Sequence, residues 1–452
     1  MLFEKVLVAN RGEIALRIMR TLKNMGIKSV AVYSEADTNS LHVQYADEAI
    51  YIGPSPATES YLSINHIVNA AIKSGAQAVH PGYGFLSENA NFARELKKEG
   101  IKLIGPSDMA IKMMGDKIEA KKMAQTAGVT TVPGYLGEIN DLDHAMKIAT
   151  DIGFPVIIKA AAGGGGRGMR VVKNPEGLNE ALNSAKREAG NSFSDNRIFI
   201  ERFVENPRHI EIQVLADDFG NVVCLGEREC SIQRHHQKII EEAPSPFIDE
   251  ATRQEMYNQS IALCKQVKYS SAGTVEFIMD QNKNFFFLEM NTRLQVEHCV
   301  TELITGIDIV EQMVNVACGE KLPFTQEDIK LNGSAIESRI CSEDPTRGFL
   351  PSSGRIIEYK EPSKSSQVRV DSGVKEGHEV SMFYDPMIAK LCTYAPTRAE
   401  TIEHMKKALG SFIIKGVAHN ISFLEAIMAH PKFAAGDIST SFIEQEYPAG
   451  FL

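Results

Sequence analysis

The first 110 residues alternate short apolar runs with a helix-like spacing of apolar positions. Residues 6–9, 29–33 and 78–80 are rich in valine and alanine, and each run fits a buried strand. Between the first two runs, residues 14–18 have the spacing of an amphipathic helix, and Gly12 marks the turn before it. Strands that alternate with helices predict a parallel α/β sheet.

A glycine-rich loop follows a later predicted strand. The strand 155–159 ends in Lys159, residues 163–168 include four consecutive glycines, and residues 169–172 read as a second strand. This order predicts a hairpin tip whose bare amides fold over phosphates, with Lys159 as a phosphate ligand. A flexible turn and a surface lysine are the alternatives. The chain has no G-x-x-x-x-G-K-[ST] pattern, which disfavours a P-loop enzyme.

Two apolar strands at 273–280 and 285–291 predict a β-hairpin. If Asn282 and Lys283 form its two-residue turn, Glu276 lies directly opposite Glu289. Opposed carboxylates repel one another in a sheet, and a divalent cation between them removes this conflict. We therefore expect a Mg²⁺ site. A pair of solvated glutamates is the alternative, because a one-residue slip in register would part them.

Polar residues continue at alternate positions after this hairpin. Asn291, Arg293, Gln295 and Glu297 follow Glu289 at odd positions, so an extended chain would place all five on one face beside the metal. Arg293 could bind an oxyanion through two hydrogen bonds, and Glu297 is placed to act as a general base. An ordinary exposed strand face is the alternative.

Two other segments carry candidate chemistry. His209, Glu211 and Gln213 alternate with apolar residues and are expected on one face of a strand. Residues 228–238 are predicted to form a basic loop after a strand, for which a solvated charged loop is the alternative.

Composition excludes several classes of function. The chain has 452 residues, 43% of them hydrophobic, and a net charge of −10 without a dense basic stripe, which disfavours nucleic acid and anionic membranes as partners. The seven cysteines form no C-x-x-C pair, so neither a zinc site nor a disulfide framework is expected. With no apparent signal peptide and no long apolar run, a reducing cytoplasm is the expected location.

Four segments carry a family resemblance: residues 8–15, 80–89, 159–168 and 289–298, of which the last is the most specific. Through them the whole chain resembles the biotin carboxylase family, the ATP-grasp component of biotin-dependent carboxylases. The segment 437–442 resembles the α chains of acyl-CoA carboxylases, the propionyl-CoA type especially.

The resemblance implies an α/β and α+β fold in three domains. These are a Rossmann-like N-terminal domain at 1–114, an ATP-grasp domain at 115–330 with a mobile glycine-rich lid at about 131–204, and a mixed C-terminal domain at 331–452.

The resemblance also implies the nucleotide and metal ligands. The residues implied to contact ATP are Lys117, Lys159, Gly164, Gly165, Gly166, Glu201, Val204, His209, Gln233, His236 and Ile278. Mg²⁺, or Mn²⁺, is implied on Glu276 and Glu289, with Asn291 nearby. The chain departs from the family at His235, where arginine is common, which puts the charge of this segment at neutral pH in doubt.

The implied reaction is the ATP-dependent carboxylation of biotin by bicarbonate through carboxyphosphate, a ligase reaction that forms a carbon–nitrogen bond. It is the first half-reaction of a biotin-dependent acyl-CoA carboxylase. The residues implied to bind bicarbonate are Arg293, Gln295, the Val296 amide and Lys238. Glu297 would take the bicarbonate proton, Arg339 would stabilise the biotin enolate, and Tyr83 would form a wall of the biotin pocket.

Biotin is expected on a separate carrier protein or domain. Ala145-Met146-Lys147 resembles a biotin attachment site, but its surroundings have the spacing of an amphipathic helix. The carrier and a carboxyltransferase subunit are therefore expected partners, and the family analogy adds a homodimer. The final acyl acceptor, and whether the chain is a free subunit or part of a longer one, stay open.

Three other functions compete with this one. Another ATP-grasp enzyme, a carboxylate–amine ligase, would share the glycine loop and the paired glutamates but not the Arg293, Gln295 and Glu297 series. A non-catalytic nucleotide-binding subunit would not need that series. A dinucleotide oxidoreductase is weaker, because the first strand–turn–helix contains only Gly12.

Overall fold

The valine- and alanine-rich runs form the centre of a five-stranded parallel sheet. The computed structural model describes residues 2–137, 139, 141–162, 168–193 and 195–451. The first elements are β1 (Lys5–Val8), α1 (Gly12–Asn24), β2 (Lys28–Tyr33), α2 (Leu41–Tyr45), β3 (Glu48–Tyr51), α3 (Ile64–Ser74), β4 (Ala78–His80), α4 (Ala90–Lys98), β5 (Lys102–Leu103) and α5 (Asp108–Gly115). The strand order is β3-β2-β1-β4-β5, with every pair parallel. The predicted parallel α/β sheet is confirmed.

Two loops at the carboxyl ends of β1 and β4 are tied together. Asn10 Nδ2 donates hydrogen bonds to the carbonyls of Pro81 and Tyr83, each at 2.7 Å. Gly82 has φ 63°, and a Cβ there would lie 2.9 Å from Asn10 Nδ2, so only glycine fits this close approach. The contact brings Tyr83 beside the start of α1, which carries Glu13.

A four-stranded antiparallel sheet follows. Its region contains α6 (Lys117–Thr126), β6 (Gly134–Tyr135), α7 (Leu142–Ile152), β7 (Val156–Ala160), β8 (Arg170–Val172), α8 (Leu178–Phe193) and β9 (Ile198–Arg202). The strand order is β6-β9-β7-β8, and the predicted hairpin partners β7 and β8 do pair antiparallel. The predicted amphipathic helix around Lys147 is confirmed as α7, which buries Ala145 and Ile148. Gly164, Gly165 and Gly166 lie outside the described residues.

An eight-stranded antiparallel sheet carries the remaining polar motifs. Its first elements are β10 (Arg208–Ala216), β11 (Val222–Arg234), β12 (Gln237–Ala243), α9 (Glu250–Gln266), β13 (Ser271–Met279), β14 (Phe285–Asn291), α10 (His298–Thr305) and α11 (Ile309–Ala317). The later elements are β15 (Ser334–Cys341), β16 (Glu343–Asp344), β17 (Leu350–Pro351), β18 (Gly354–Arg355), β19 (Glu358–Lys360), β20 (Val368–Ser372), β21 (Glu379–Val380), β22 (Met387–Ala395), α12 (Arg398–Ser411), β23 (Ile413–Lys415), α13 (Ile421–Ala429), α14 (Pro431–Ala435) and α15 (Phe442–Glu446). The strand order is β14-β13-β10-β11-β12-β15-β22-β20, so this sheet draws its strands from residues 208 to 395.

The last 120 residues pack a helical layer on the end of this sheet. Buried apolar side chains of β15 and β22 contact those of α12 and α13, including Ile340, Leu391, Met405 and Leu424. This layer packs against β15 and β22. These two strands carry Arg339 and Lys390, respectively, so the layer helps to position both side chains. No helix within the described ranges has both the length and the hydropathy needed to cross a bilayer.

Candidate active site

Glu276 and Glu289 are direct cross-strand partners on β13 and β14, as the sequence predicts. Glu276 is only 5% exposed. Burial would raise its pKa, but the charges of Lys238 and His209 outweigh burial and hold the pKa well below its ordinary value. The carboxylate is therefore ionised at neutral pH.

The predicted two-residue turn of this hairpin is wrong. The backbone N–H of Asp280 donates to the carbonyl of Asn284 at 2.9 Å, so residues 281–283 form a three-residue loop. Lys283 has φ 63°, the left-handed conformation that such loops require. The register then shifts by one residue at Leu288, which restores the opposition of the two glutamates.

Amides and amines surround the glutamate pair. Asn291 Nδ2 and Gln295 Nε2 donate to Glu276 Oε1 at 2.8 Å and 2.9 Å. Lys117 pairs with Glu289, whose charge raises the pKa of the lysine against the effect of burial. Two facing carboxylates with an adjacent amide form a hard oxygen donor set, which suits Mg²⁺ or Mn²⁺.

Lys238 lies at the centre of three carboxylates. Its Nζ donates to Glu211 Oε2 at 2.6 Å, to Glu276 Oε1 at 2.9 Å and to Glu297 Oε1 at 2.8 Å. Burial alone would lower the pKa of Lys238, but the three carboxylates raise it well above its ordinary value. The ammonium group therefore stays charged in a buried site.

Arg339 holds the other side of Glu297. Its Nη2 lies 3.0 Å from Glu297 Oε2, and its Nε donates to Glu241 Oε1 at 2.6 Å. Burial would raise the pKa of Glu297, yet the charges of Lys238 and Arg339 hold it well below its ordinary value. Burial raises the pKa of Glu241 to about 7, because Arg339 offsets burial only in part. Glu297 is thus an ionised, buried carboxylate between two cations.

The chain beyond β14 does not stay extended, contrary to the prediction from alternating polar positions. The strand ends at Asn291, and a loop leads to α10 at His298. Within this loop Gln295 contacts Glu276, while Arg293 Nε pairs with Glu88 at 2.8 Å. Asn291 and Gln295 therefore contact the glutamate pair, whereas Arg293 contacts Glu88 and Glu297 contacts Lys238 and Arg339.

The predicted basic loop at 228–238 is also wrong. This segment is the end of β11, a two-residue turn at His235 and His236, and the start of β12. The two histidines have φ 50° and 63°, as a tight hairpin turn requires. Burial lowers the pKa of His236, so its ring is neutral at pH 7.

Arg228 is a fully buried arginine whose importance sequence reasoning missed. Its guanidinium donates to Glu211 at 2.5 Å and to Gln295 at 2.6 Å, and it also bonds Gln213, Thr274 and Thr301. A lone arginine in a charged segment gives no sequence signal of this role. The alternation of His209, Glu211 and Gln213 was the available clue, since a buried carboxylate on their shared face needs a cation.

Two further lysines pair with a buried glutamate. Lys159 Nζ lies 3.0 Å from Glu201 Oε2, and Lys121, which was not predicted, pairs with the same carboxylate. Glu201 is fully buried and does not line the cavity, in contrast to the other described candidates. Its carboxylate pairs with both lysines, one at each oxygen.

One cavity of about 1180 Å³ connects these groups. The predicted residues that line it are Tyr83, Lys117, Lys159, Val204, His209, Gln233, His236, Lys238, Glu276, Ile278, Glu289, Asn291, Arg293, Gln295, Val296, Glu297 and Arg339. Tyr83 lies at one side, where its hydroxyl donates to Glu13. The size of the cavity and its mixture of ionised carboxylates and cations fit a nucleotide together with a small anion.

Family models match three successive parts of the chain. The description "Biotin carboxylase, N-terminal domain" matches residues 2–111, "Carbamoyl-phosphate synthase L chain, ATP binding domain" matches residues 116–325, and "Biotin carboxylase C-terminal domain" matches residues 337–445. The fold and the site therefore define an ATP-dependent ligase of the ATP-grasp class.

Known proteins are similar to this chain over its whole length. The propionyl-CoA carboxylase alpha chain of Ruegeria pomeroyi is 59% identical, over 100% of this chain and 69% of that one. The biotin carboxylase structure from Campylobacter jejuni is 48% identical with a TM-score of 0.96, covering 98% of this chain and 99% of that one. The biotin carboxylase domain of Hydrogenobacter thermophilus 2-oxoglutarate carboxylase is 45% identical with a TM-score of 0.95, covering 99% of this chain and 98% of that one.

The chain belongs to the biotin carboxylase family. It is an ATP-dependent carboxylase of biotin, a ligase that forms a carbon–nitrogen bond. It spans 69% of the length of the Ruegeria protein and 61 to 62% of the propionyl-CoA carboxylase alpha chains of Caenorhabditis briggsae and Mus musculus.

Proposed function

We propose that Glu297 is the general base of this carboxylase and that its cavity performs the first half-reaction of a biotin-dependent acyl-CoA carboxylase. The observation that carries the proposal is the position of the Glu297 carboxylate. It is buried, ionised and held between Lys238 and Arg339, and Lys238 links it to the glutamate pair. A base beside a metal-binding pair is what the deprotonation of bicarbonate next to ATP requires.

ATP and Mg²⁺ are the cofactors of the proposed reaction. Glu276 and Glu289 would hold the ion with Asn291 beside them, which the facing carboxylates and the oxygen donor set support. The bound ion would neutralise charge on the phosphates during transfer. The Hydrogenobacter domain is a complex with MgADP and bicarbonate, which supports the same ligands for this chain.

The nucleotide is proposed to lie between the lysine end of the cavity and the glutamate pair. Lys117 and Lys159 would face the phosphates. Gly164, Gly165 and Gly166, which lie outside the described residues, are further proposed ATP contacts. Val204, His209, Gln233, His236 and Ile278 would contact ATP, as their place in the cavity lining supports. Glu201 would act through its backbone or through Lys159, because its own carboxylate lies below the cavity wall.

Bicarbonate is proposed to bind at Arg293, Gln295, the Val296 amide and Lys238. Glu297 takes its proton, and Lys238 stabilises the oxyanion that then attacks the γ-phosphate to give carboxyphosphate. Carboxyphosphate, formed with release of ADP, would then break down to CO₂ and phosphate. The phosphate would take the N1′ proton of biotin, and the resulting enolate, held by Arg339 beside Tyr83, would attack CO₂. Arg339 already contacts Glu297, which supports a biotin site adjacent to the base.

The partners follow from the same reaction. Biotin would arrive on a carrier protein or domain, and a carboxyltransferase would pass the carboxyl group to an acyl-CoA, with propionyl-CoA favoured by the Ruegeria relative. A homodimer, the domain limits 1–114, 115–330 and 331–452, and a cytoplasmic location are further proposals. All seven cysteines are free thiols, which supports a reducing compartment.

Phosphate release from Mg-ATP tests the function. We expect turnover that requires bicarbonate and rises with free biotin. Turnover that depends on an amine instead would favour a carboxylate–amine ligase. ATP binding without turnover under any of these conditions would favour a regulatory subunit.

A further inference from the structure

Two neighbouring cations on the large sheet hold two consecutive residues of the loop that carries the proposed base. Arg339 on β15 and Lys390 on β22 are direct cross-strand partners, so both side chains project from the same face. Arg339 contacts the Glu297 carboxylate at 3.0 Å. Lys390 Nζ donates to the backbone carbonyl of Val296 at 2.8 Å.

The contact with Val296 bears on Glu297 because one peptide unit joins them. The carbonyl of Val296 and the N–H of Glu297 belong to the same planar group. Residues 292–297 lie between the end of β14 and the start of α10, so no strand or helix ladder fixes this carbonyl. A hydrogen bond from a charged donor therefore decides how this peptide, and the Glu297 side chain after it, is oriented.

Glu13 and Tyr83 hold the Lys390 side chain in place. Its side chain is fully buried, with Nζ 3.5 Å from Glu13 Oε2 and 5.9 Å from the centre of the Tyr83 ring. The Tyr83 hydroxyl donates to the other oxygen of Glu13. Burial would lower the pKa of Lys390, but neighbouring acidic groups, Glu13 among them, raise it well above its ordinary value. The lysine therefore carries a charge throughout the neutral pH range.

We propose that Lys390 is a positioning residue for the general base: its ammonium group fixes the peptide between Val296 and Glu297, and Glu13, braced by Tyr83, orients the ammonium. The inference rests on the proposed role of Glu297. It assigns Lys390 no contact with substrate, since Lys390 acts only through the loop. A displacement of a catalytic group by about 1 Å can cost on the order of 100-fold in rate.

The test is a double-mutant cycle in the full chain. Lys390→Met should lower kcat for bicarbonate-dependent ATP cleavage by roughly 10- to 100-fold, with KM for ATP changed less than about twofold. In a Glu297→Gln background the same substitution should cause almost no further loss of the residual rate, because Lys390 acts through Glu297. Arg398→Met is the matched control. It removes the ion-pair partner of buried Glu242, a pair that does not line the cavity, and should leave kcat unchanged.

Additive losses from Lys390→Met and Glu297→Gln would overturn the proposal, as would an equal loss in Arg398→Met. If Lys390→Met does not fold, Glu13→Gln keeps the lysine. Assayed at about pH 8, where Glu13 is ionised, it removes the charge that orients the lysine. It should lower kcat by roughly 3- to 10-fold and show the same lack of additivity with Glu297→Gln. Additivity in that cycle would equally overturn it. A wild-type chain without bicarbonate-dependent turnover would instead contradict the role of Glu297.

Discussion

Oε2 of Glu297 lies 3.0 Å from Nη2 of Arg339. The proposed base of the first chemical step is therefore in contact with the proposed anchor of the second substrate. Against the effect of burial, Lys238 and Arg339 hold the pKa of Glu297 well below its ordinary value, and Glu241 and Glu297 raise the pKa of Arg339. With these proposed roles, proton removal from bicarbonate and binding of the enolate would occur side by side in one cavity, which would limit hydrolysis of the intermediates.

The first prediction concerns the base. Glu297→Gln should lower bicarbonate-dependent ATP cleavage by about 10²- to 10⁴-fold, since the amide accepts no proton. Binding of Mg-ADP, measured by calorimetry, should change little, because Lys117 and Lys159 pair with other carboxylates, those of Glu289 and Glu201. Glu320→Gln, on an exposed glutamate, is the control and should retain full activity. A Glu297→Gln enzyme with wild-type turnover would remove Glu297 from the mechanism.

A second prediction concerns the metal pair. At a Mg-ADP concentration of about 100 Kd, the free energy of unfolding of the wild-type chain should rise by about 2.7 kcal/mol. If Glu289→Gln raises that Kd about 100-fold, the gain falls to about 0.4 kcal/mol at the same concentration. Chemical unfolding with and without Mg-ADP measures both values, and EDTA should reduce the difference in wild type. Equal gains in wild type and variant would exclude Glu289 as a ligand.

The glutamate pair shows how much of the site the sequence could predict. The assumed two-residue turn predicts that Glu276 lies opposite Glu289, and the structure has this pair. The loop, however, has three residues, and a bulge at Leu288 compensates for the additional one. The prediction was wrong by one residue in the loop and by one residue in the strand, and these two errors cancelled. Periodicity detects which residues share a face, but bulges depend on side-chain packing against neighbouring strands, which local sequence patterns do not reveal.

The groups that sequence reasoning missed share one property. Arg228, Lys121 and Lys390 are fully buried cations whose partners lie far away in the sequence. Arg228 bonds Gln295, Lys121 pairs with Glu201, and Lys390 bonds the carbonyl of Val296. Because charged residues are usually exposed, no local pattern marks these three as buried. Only the assembled sheets show that each faces a buried polar group.

A third prediction concerns pH. Burial raises the pKa of Glu13 from 4.5 to about 7, although Lys390 opposes this shift. Between these two pH values the folded chain keeps a proton that the unfolded chain has released, so this group lowers stability as pH rises, and the full cost is present above about pH 7. The cost amounts to about 3 kcal/mol.

Glu13→Gln removes this titration. The free energy of unfolding of the variant, minus that of wild type, should therefore increase by up to about 3 kcal/mol between about pH 4.5 and about pH 8. Urea unfolding at several pH values measures the difference, with Glu320→Gln as a control that should show a constant difference. Parallel curves for Glu13→Gln and wild type would mean that Glu13 titrates at its ordinary pKa.

The last prediction concerns Arg228. Its side chain is fully buried and is bonded to Glu211 and Gln295, so Arg228→Met leaves the Glu211 carboxylate buried with fewer partners. Loss of one member of a buried ion pair costs about 3–5 kcal/mol, which urea unfolding would detect as a lower midpoint. Lys406→Met, which breaks an exposed pair, should cost less than about 1 kcal/mol. Because Arg228 also holds Gln295, any folded Arg228→Met protein should show a raised KM for bicarbonate. An unchanged KM would mean that Gln295 keeps its position without the arginine.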